Sequence, residues 1–200
     1  MGGKLWLWAS VTALAVLAAV STTATAGASL LPGCAGQAYV QPFVPWLDVA
    51  NYVLMPSGAL EGGSGWTLTG GAQVVAGNEP WHVHGALDGR ALSLPSGSSA
   101  TSPALCITLL HPDLRFFAVN KGSLTSLLEV EAITQVLGVR TVTPVGFLLA
   151  GGSWRPTLPL PFLTNLATVT GGTIAFRFTP VGAGSGWRID DVYVDPFKES

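Results

Sequence analysis

Charged side chains are scarce in this chain of 200 residues. Lys and Arg together number 9 and Asp and Glu together number 11, so the formal net charge at pH 7 is −2. A protein that binds nucleic acid needs a basic surface that displaces counterions from phosphates. Binding to anionic lipid likewise needs clusters of Lys and Arg. The composition therefore argues against a nucleic-acid partner and against electrostatic attachment to a membrane surface.

Long apolar runs are also rare, and the clearest one, from Leu5 to Val20, lies at the N-terminus directly after Lys4. It is shorter than the roughly 20 residues that a transmembrane helix needs. Small residues follow at once and include an Ala24-Thr25-Ala26 site. A basic residue, an apolar run and a small-residue site, in this order, are typical of a signal peptide. We therefore predict that residues 1–26 are removed, that the protein is secreted, and that the mature chain has no membrane segment.

Cysteine occurs only twice, as Cys34 and Cys106. An even number of cysteines in an exported chain indicates a disulfide bond. The Cys34–Cys106 bond would close a loop of about 70 residues and contribute about 4 kcal/mol in the chain-entropy description. The alternative is a pair of buried thiols, because cysteine often packs as a small hydrophobic residue.

A helical period is missing as well. Short runs of alternating apolar and polar residues are separated by turns rich in glycine and proline, which number 25 and 14. Leu128, Val130 and Ala132, for example, alternate with Glu129 and Glu131. Such alternation is typical of strands with one buried face. The pattern predicts an all-β protein, a sandwich or a barrel, with about ten short antiparallel strands.

The domain boundaries follow from the change in pattern along the chain. Residues 27–46 contain several prolines and show no period, which predicts an extended N-terminal arm held at Cys34 and by packing of Phe43 and Trp46. Residues 47–197 form the predicted β-domain.

The closing segment, from Trp187 to Phe197, contains an irregular alternation. Trp187 and Ile189 occupy odd positions, whereas the later apolar residues, Val192 and Val194, occupy even positions. A change of face within one strand indicates a β-bulge or a strand that is covered on both sides. The change falls on Asp190 and Asp191, and adjacent carboxylates need partners if they are buried.

Two motifs carry a resemblance to a known class. The opening Gly58-x-x-Glu61-Gly-Gly-x-Gly-Trp66 and the closing Ile189-Asp190-Asp191-Val192-Tyr193-Val194 resemble secreted galactose-binding-type and carbohydrate-binding-module jelly rolls, over about residues 47 to 197. The resemblance implies a jelly-roll β-sandwich and a noncatalytic module that binds a polysaccharide or a cell-surface glycan. The alternative function is that of a structural or adhesive secreted protein without a small-molecule ligand.

The same resemblance implies a structural calcium ion, held by Glu61 together with Asp190 or Asp191. Calcium is bound by six to eight oxygen atoms, mostly from carboxylates and carbonyls. In the alternative, Asp191 caps the free amides of a bulge, or it pairs with Arg188 or Arg177.

Tryptophans suggest where a sugar would bind. Trp66 and Trp187 lie among strand residues and are predicted to be core, whereas Trp81 and Trp154 lie at loop edges. An exposed aromatic ring can stack on the apolar face of a sugar. We therefore predict Trp81 and Trp154 as the ligand-binding residues.

Two further groups of residues are compatible with a site. His82 and His84 are predicted to share one strand face, which is compatible with zinc if His111 is a third ligand, but such pairs are more often surface residues. Glu129 and Glu131 also share a face, at a separation within the range for inverting glycoside hydrolysis, but a solvated strand face is much the more common explanation of such a pair. The sequence contains no familiar catalytic motif, and we predict that the protein is not an enzyme.

Overall fold

The computed structural model describes residues 36–62, 65–107, 113–136, 138–162 and 172–195. The predicted signal peptide, Cys34 and His111 lie outside these ranges. Within them, no helix has both the length and the apolar character that a membrane crossing requires.

The described chain contains 14 strands in two antiparallel sheets. Sheet A has eight strands in the order β1-β2-β14-β5-β4, with β8 beside β14, and with β11 and β12 beside β8. Their bounds are β1 Tyr39–Val40, β2 Tyr52–Leu54, β4 Gln73–Ala76, β5 Arg90–Pro95, β8 Asp113–Asn120, β11 Arg155–Pro156, β12 Leu160–Pro161 and β14 Gly186–Asp195.

Sheet B has six strands in the order β10-β9-β13-β6-β3, with β7 also beside β13. Their bounds are β3 Thr67–Thr69, β6 Ser99–Thr101, β7 Leu105–Ile107, β9 Leu127–Val136, β10 Val139–Leu148 and β13 Gly172–Val181. The predicted antiparallel β-sandwich of the jelly-roll kind is confirmed. The described strands are more numerous than the ten expected, because several edge strands are only two or three residues long.

The main core lies between the sheets and follows the predicted alternation. Ile174, Phe176 and Phe178 of β13 are fully buried in it, as is Trp187 of β14. Trp66 is also buried, and its indole N–H donates to the carbonyl of Ser57 at 2.9 Å. The sequence-based assignment of Trp66 and Trp187 to the core is confirmed.

A second buried group, the outer aromatic cluster, covers the other face of sheet A. It consists of Phe43, Tyr52, Phe117 and Tyr193, with Trp46, Val83 and Trp154 packed against it. Phe43 comes from the arm and precedes the short 3-10 helix Val44–Trp46. Its ring stacks on Phe117 with 5.5 Å between centroids. The arm therefore closes the outside of sheet A.

Arg115 attaches the arm by charge as well as by packing. Its guanidinium lies 4.2 Å from the centroid of the Phe43 ring and donates to the carboxylate of Asp48. Nε of Arg115 donates to the carbonyl of Thr157 at 2.7 Å. Since Arg115 is itself almost completely buried, these partners replace the water that its charge would otherwise need.

The predicted bulge in the closing strand is confirmed. The register between β14 and β8 shifts between Asp190 and Tyr193, and Asp191 has a φ of 47°. On its other edge β14 pairs with β5 as far as Ile189 and with β2 from Tyr193 onward. The bulge thus lies where β14 changes neighbours.

A turn after β2 approaches the bulge closely. The N–H of Val192 donates to the carbonyl of Gly58, and the N–H of Met55 donates to the carbonyl of Val192. A Cβ at position 58 would lie only 2.7 Å from the Val192 carbonyl oxygen. Glycine is required there because the two backbones leave no room for a side chain.

Sheet B differs in that β10 forms an exposed edge. Most of its side chains face solvent, including Phe147. Its register against β9 shifts between Pro144 and Gly146. This edge strand is long but irregular.

One predicted strand is wrong. The alternation of Trp81, Val83 and Gly85 suggested a strand that would place His82 and His84 on one face, but residues 77–89 form a loop between β4 and β5. The loop is closed at its base by the N–H of Gly77, which donates to the carbonyl of Gly89 at 2.8 Å. The loop forms around a buried glutamate, Glu79.

Candidate functional site

The loop of residues 77–89 is built around the side chain of Glu79, which is completely buried. Oε2 of Glu79 accepts a hydrogen bond from the N–H of Trp81 at 2.6 Å, and Oε1 accepts one from the N–H of Val83 at 2.5 Å. Bonds from backbone amides to a carboxylate are among the stronger hydrogen bonds in proteins. Glu79 therefore replaces the partners that a neighbouring strand would provide, and it fixes the path of the loop.

The loop is tied to the bulge of β14 by two further hydrogen bonds. The N–H of Glu79 donates to Oδ2 of Asp190 at 3.1 Å, and the N–H of His84 donates to Oδ2 of Asp191 at 3.3 Å. Oδ1 of Asp190 accepts from the N–H of Asp191 at 2.9 Å. Both aspartates are buried beneath the loop. The bulge thus places two successive carboxylates against one loop.

His84 and Asp88 lie beside these carboxylates. We call the group of Glu79, His84, Asp88, Asp190 and Asp191 the acidic cluster. Nδ1 of His84 and Oδ2 of Asp88 are 2.9 Å apart. One ligand atom from each of His84, Asp88 and Asp191 lies within 4.8 Å of the others. No Lys or Arg forms an ion pair with Glu79, Asp190 or Asp191 within the described ranges.

The electrostatics of the cluster follow from burial. Removal from water, together with the neighbouring carboxylates, raises the pKa of Asp190 well above its ordinary value. The pKa of Asp191 is also raised, by burial first and then by the charge of Glu79. Burial without a nearby cation makes the charged form of a carboxyl group less stable than the neutral form. The cluster is therefore a place where added positive charge would be strongly stabilised.

Trp81 lies on the same loop, above the outer aromatic cluster. Its ring meets Trp46 almost at a right angle, with 5.0 Å between centroids, and meets Phe117 at 5.7 Å. Trp81 nevertheless keeps 45% of its surface exposed. Trp154, which directly precedes β11, is half-buried and packs against the same cluster. Both predicted ligand-binding tryptophans thus lie on the outer side of sheet A.

Glu61, the third residue of the predicted calcium site, contacts the end of the loop of residues 77–89. Its Oε1 accepts hydrogen bonds from the N–H groups of Gly89 and Arg90, at 2.7 and 2.8 Å. It therefore supports the end of the loop, whereas Asp191 is grouped with His84 and Asp88. The calcium ion at Glu61, Asp190 and Asp191 stays a prediction.

Asp191 accepts a hydrogen bond from a loop amide and forms no ion pair with Arg177. Its Oδ2 accepts from a backbone amide of the neighbouring loop, and Arg177 pairs with Glu131 instead, with 2.6 Å between Nε and Oε2. Glu131 and Glu129 lie on β9 of sheet B, as predicted. The carboxylate of Glu131 therefore forms an ion pair with Arg177 on the neighbouring strand.

Sequence reasoning missed two members of the cluster. Glu79 stands between an asparagine and a proline in what looked like a turn, and Asp88 precedes Gly89 in a dipeptide typical of hairpins. Each of these local patterns has an ordinary explanation. Only the spacing of His84 and Asp88, four residues apart, hints at a shared site.

The predicted disulfide extends beyond the described residues, because Cys34 lies outside them. Cys106 is on β7, and Nε2 of Gln37 in the arm donates to its carbonyl at 2.8 Å. The described residues contain no free cysteine. The Cys34–Cys106 bond stays a prediction.

No protein-family model matches the chain, and no curated protein matches its sequence. Solved structures are similar to it at low identity. The CBM22-1 and GH10 modules of the Clostridium thermocellum endo-1,4-β-D-xylanase 10B, complexed with xylohexaose, are 14% identical over 66% of this chain and 26% of that chain, with a TM-score of 0.48. The chain thus spans about a quarter of that xylanase chain.

Two other solved structures show a comparable likeness. A family 61 carbohydrate-binding module in complex with β-1,4-galactotriose is 12% identical over 72% of this chain and 97% of that chain, with a TM-score of 0.45. The enzymatically active domain of the bacteriophage CBA120 tailspike protein 4 is 20% identical over 70% of this chain and 21% of that chain, with a TM-score of 0.48. At these values the likeness says nothing about a ligand of this chain.

Proposed function

We propose that the protein is an exported, noncatalytic module that binds a polysaccharide or a cell-surface glycan, with Trp81 as its main contact. The observation that carries this proposal is the environment of the Trp81 ring. The indole contacts Trp46 and Phe117, while the residue as a whole is 45% exposed. A ring that is held in this way and open to solvent on one side can stack on the apolar face of a sugar.

A fixed ring is better suited to stacking than a mobile one. The backbone of Trp81 is held by Glu79, and its ring by two aromatic neighbours. Binding a sugar would therefore sacrifice little side-chain freedom, and the apolar face of the sugar would cover indole that is now in water. Trp154 supplies a second half-exposed ring at the same cluster.

Export is the second part of the proposal. It is supported by the order of Lys4, the Leu5 to Val20 run and the Ala24-Thr25-Ala26 site. N-terminal sequencing of protein recovered from the culture medium tests it. Recovery only from cells, with residues 1–26 still attached, contradicts it.

Binding is tested by affinity electrophoresis in gels that contain xylan, β-1,4-galactan or a mixed-linkage glucan. We expect the wild-type protein to be retarded by at least one polysaccharide, Trp81→Ala to lose the retardation, and Trp154→Ala to weaken it. Phe147→Ala is the matched control, because Phe147 is similarly exposed but lies on sheet B. Thermal unfolding of each variant shows whether the fold is retained.

Two results would overturn the proposal. One is the absence of retardation on every polysaccharide together with no signal on a glycan array, which favours a structural or adhesive protein. The other is retardation that Trp81→Ala leaves unchanged. If Phe147→Ala removes the retardation instead, the glycan binds to sheet B and the assignment to Trp81 is wrong.

A further inference from the structure

The cluster of His84, Asp88 and Asp191 has the composition of a metal site, independently of any glycan. One ligand atom from each residue lies within 4.8 Å of the other two, and Nδ1 of His84 is already 2.9 Å from Oδ2 of Asp88. Ligand atoms around a zinc ion with bonds of about 2.1 Å are about 3.4 Å apart. Small side-chain movements would therefore bring all three donors into contact with one ion.

A second observation points to a ligand at this place. Oδ1 of Asp191 is buried and has no hydrogen-bond partner among the described residues. Asp191 itself is 1% exposed. Buried carboxylate oxygens are almost always satisfied, and leaving one without a partner is unfavourable. A cation bound by this oxygen would remove the deficit.

The surrounding charges favour a cation as well. Glu79 and Asp190 are buried beside the three donors, and no Lys or Arg is paired with either in the part of the chain that the structure describes. Glu79 and Asp190 use their oxygens to hold backbone N–H groups of the loop and the bulge. They would orient the ligands without binding the ion.

The donor types decide between metals. Calcium takes oxygen ligands, whereas imidazole nitrogen suits zinc and other transition metals, and zinc also accepts carboxylate oxygens. We propose that His84, Asp88 and Asp191 form a binding site for a divalent transition-metal ion, with zinc bound in preference to calcium. The His84 side chain is 41% exposed, which gives the ion access and leaves a coordination position for water.

The test is isothermal titration calorimetry on the complete mature protein after removal of metals with a chelator. ZnCl₂ and CaCl₂ are titrated separately. We expect one zinc ion per chain, with an affinity at least about tenfold higher than that for calcium. His84→Gln and Asp88→Asn should each weaken zinc binding by more than about tenfold.

His82→Gln is the matched control, because His82 lies on the same loop but outside the group. It should bind zinc like the wild type. Circular dichroism and metal-free melting temperatures verify that the variants fold, and His84→Gln is safest in this respect because the side chain is partly exposed.

Several results would overturn the proposal. Zinc binding that survives in His84→Gln, or that is lost equally in His82→Gln, places the ion elsewhere. Calcium binding that is tighter than zinc binding and unaffected by His84→Gln indicates an all-oxygen site. Absence of heat with both metals rules out the site. None of these outcomes depends on polysaccharide binding, so the two proposals fail separately.

Discussion

The two faces of sheet A are both covered by aromatic residues, yet they are built in different ways. The inner face contributes Phe116 of β8 and Trp187 of β14 to a core that is almost entirely apolar. The outer face contributes Phe117 and Tyr193 from the same strands, and it mixes them with ionised groups such as Arg115. The inner face is closed by sheet B, whereas the outer face is closed by the arm and by the loop of residues 77–89.

The difference shows how the charged residues of this chain are used. A core between two sheets is formed by alternation along each strand, and it needs no polar groups. A face covered by irregular segments must also satisfy the backbone groups of those segments. Glu79, Asp190 and Arg115 do this by bonding to loop amides or to a carbonyl. Several of the few charged residues of the chain are therefore buried on the outer face of sheet A.

The largest expected effect concerns the inner core. Phe178→Ala should lower the free energy of unfolding by about 4 kcal/mol, because it removes a fully buried ring and leaves a cavity. Urea unfolding monitored by tryptophan fluorescence measures the change. Phe147→Ala, at a residue that is 57% exposed, should change the free energy of unfolding by less than about 0.5 kcal/mol. Equal effects of the two substitutions would contradict the assignment of the core.

A somewhat smaller effect is expected on the outer face. Arg115→Ala should lower the free energy of unfolding by about 3 kcal/mol, because it leaves Asp48 without its ion pair and removes the contact with Phe43. Limited proteolysis should then cleave the arm near Phe43 faster than in the wild type. Arg115→Met keeps most of the packing, and its arm should be cleaved at a rate between those of the wild type and Arg115→Ala. A wild-type cleavage rate in Arg115→Ala would show that the arm is held by other contacts.

The smallest effect depends on pH. Burial, followed by the charges of Asp113 and Asp48, raises the pKa of Asp195 from 3.8 to about 6. The native state therefore holds this proton more tightly than the unfolded state, and the wild type loses stability as the pH rises from about 4 to 6. Asp195→Asn should be more stable than the wild type by about 1 kcal/mol at pH 7, allowing for partial exposure.

At pH 3 the same substitution should have little effect, because the carboxyl is protonated in both states. Urea unfolding at pH 3 and pH 7 measures the difference. A stabilisation that is the same at both pH values would show that the Asp195 carboxyl does not titrate differently in the folded protein.

The two faces also differ in how far the sequence could predict them. Strand alternation is a local signal, and it was sufficient to predict the sandwich and the burial of Leu128 and Val130. The bulge was predictable for the same reason, since the change of parity at Asp190 and Asp191 can be read directly. The acidic cluster was not, because the residues joined by its hydrogen bonds lie far apart: Glu79 and Asp190 are separated by 111 positions, and His84 and Asp191 by 107.

The loop of residues 77–89 shows the converse difficulty. Trp81, Val83 and Gly85 alternate as a strand would, but the amides of Trp81 and Val83 bond to the side chain of Glu79 instead of to a neighbouring strand. The hydrogen bonds to one buried carboxylate thus produce a loop in a segment whose alternating sequence predicts a strand. The order of residues likewise does not show which acids lie beside a bulge: Glu61 accepts hydrogen bonds from the amides of Gly89 and Arg90, and the calcium ion that the resemblance implies stays a prediction.

The irregular edge of sheet B bears on the behaviour of the protein at high concentration. A long, regular and exposed edge strand can pair with the edge of another molecule and start aggregation. Along β10, Pro144 has no N–H to offer such a partner, and the register shift between Pro144 and Gly146 interrupts the even spacing of the remaining groups. Because the chain contains few charged residues, we expect this break in β10 to reduce pairing between copies of the protein.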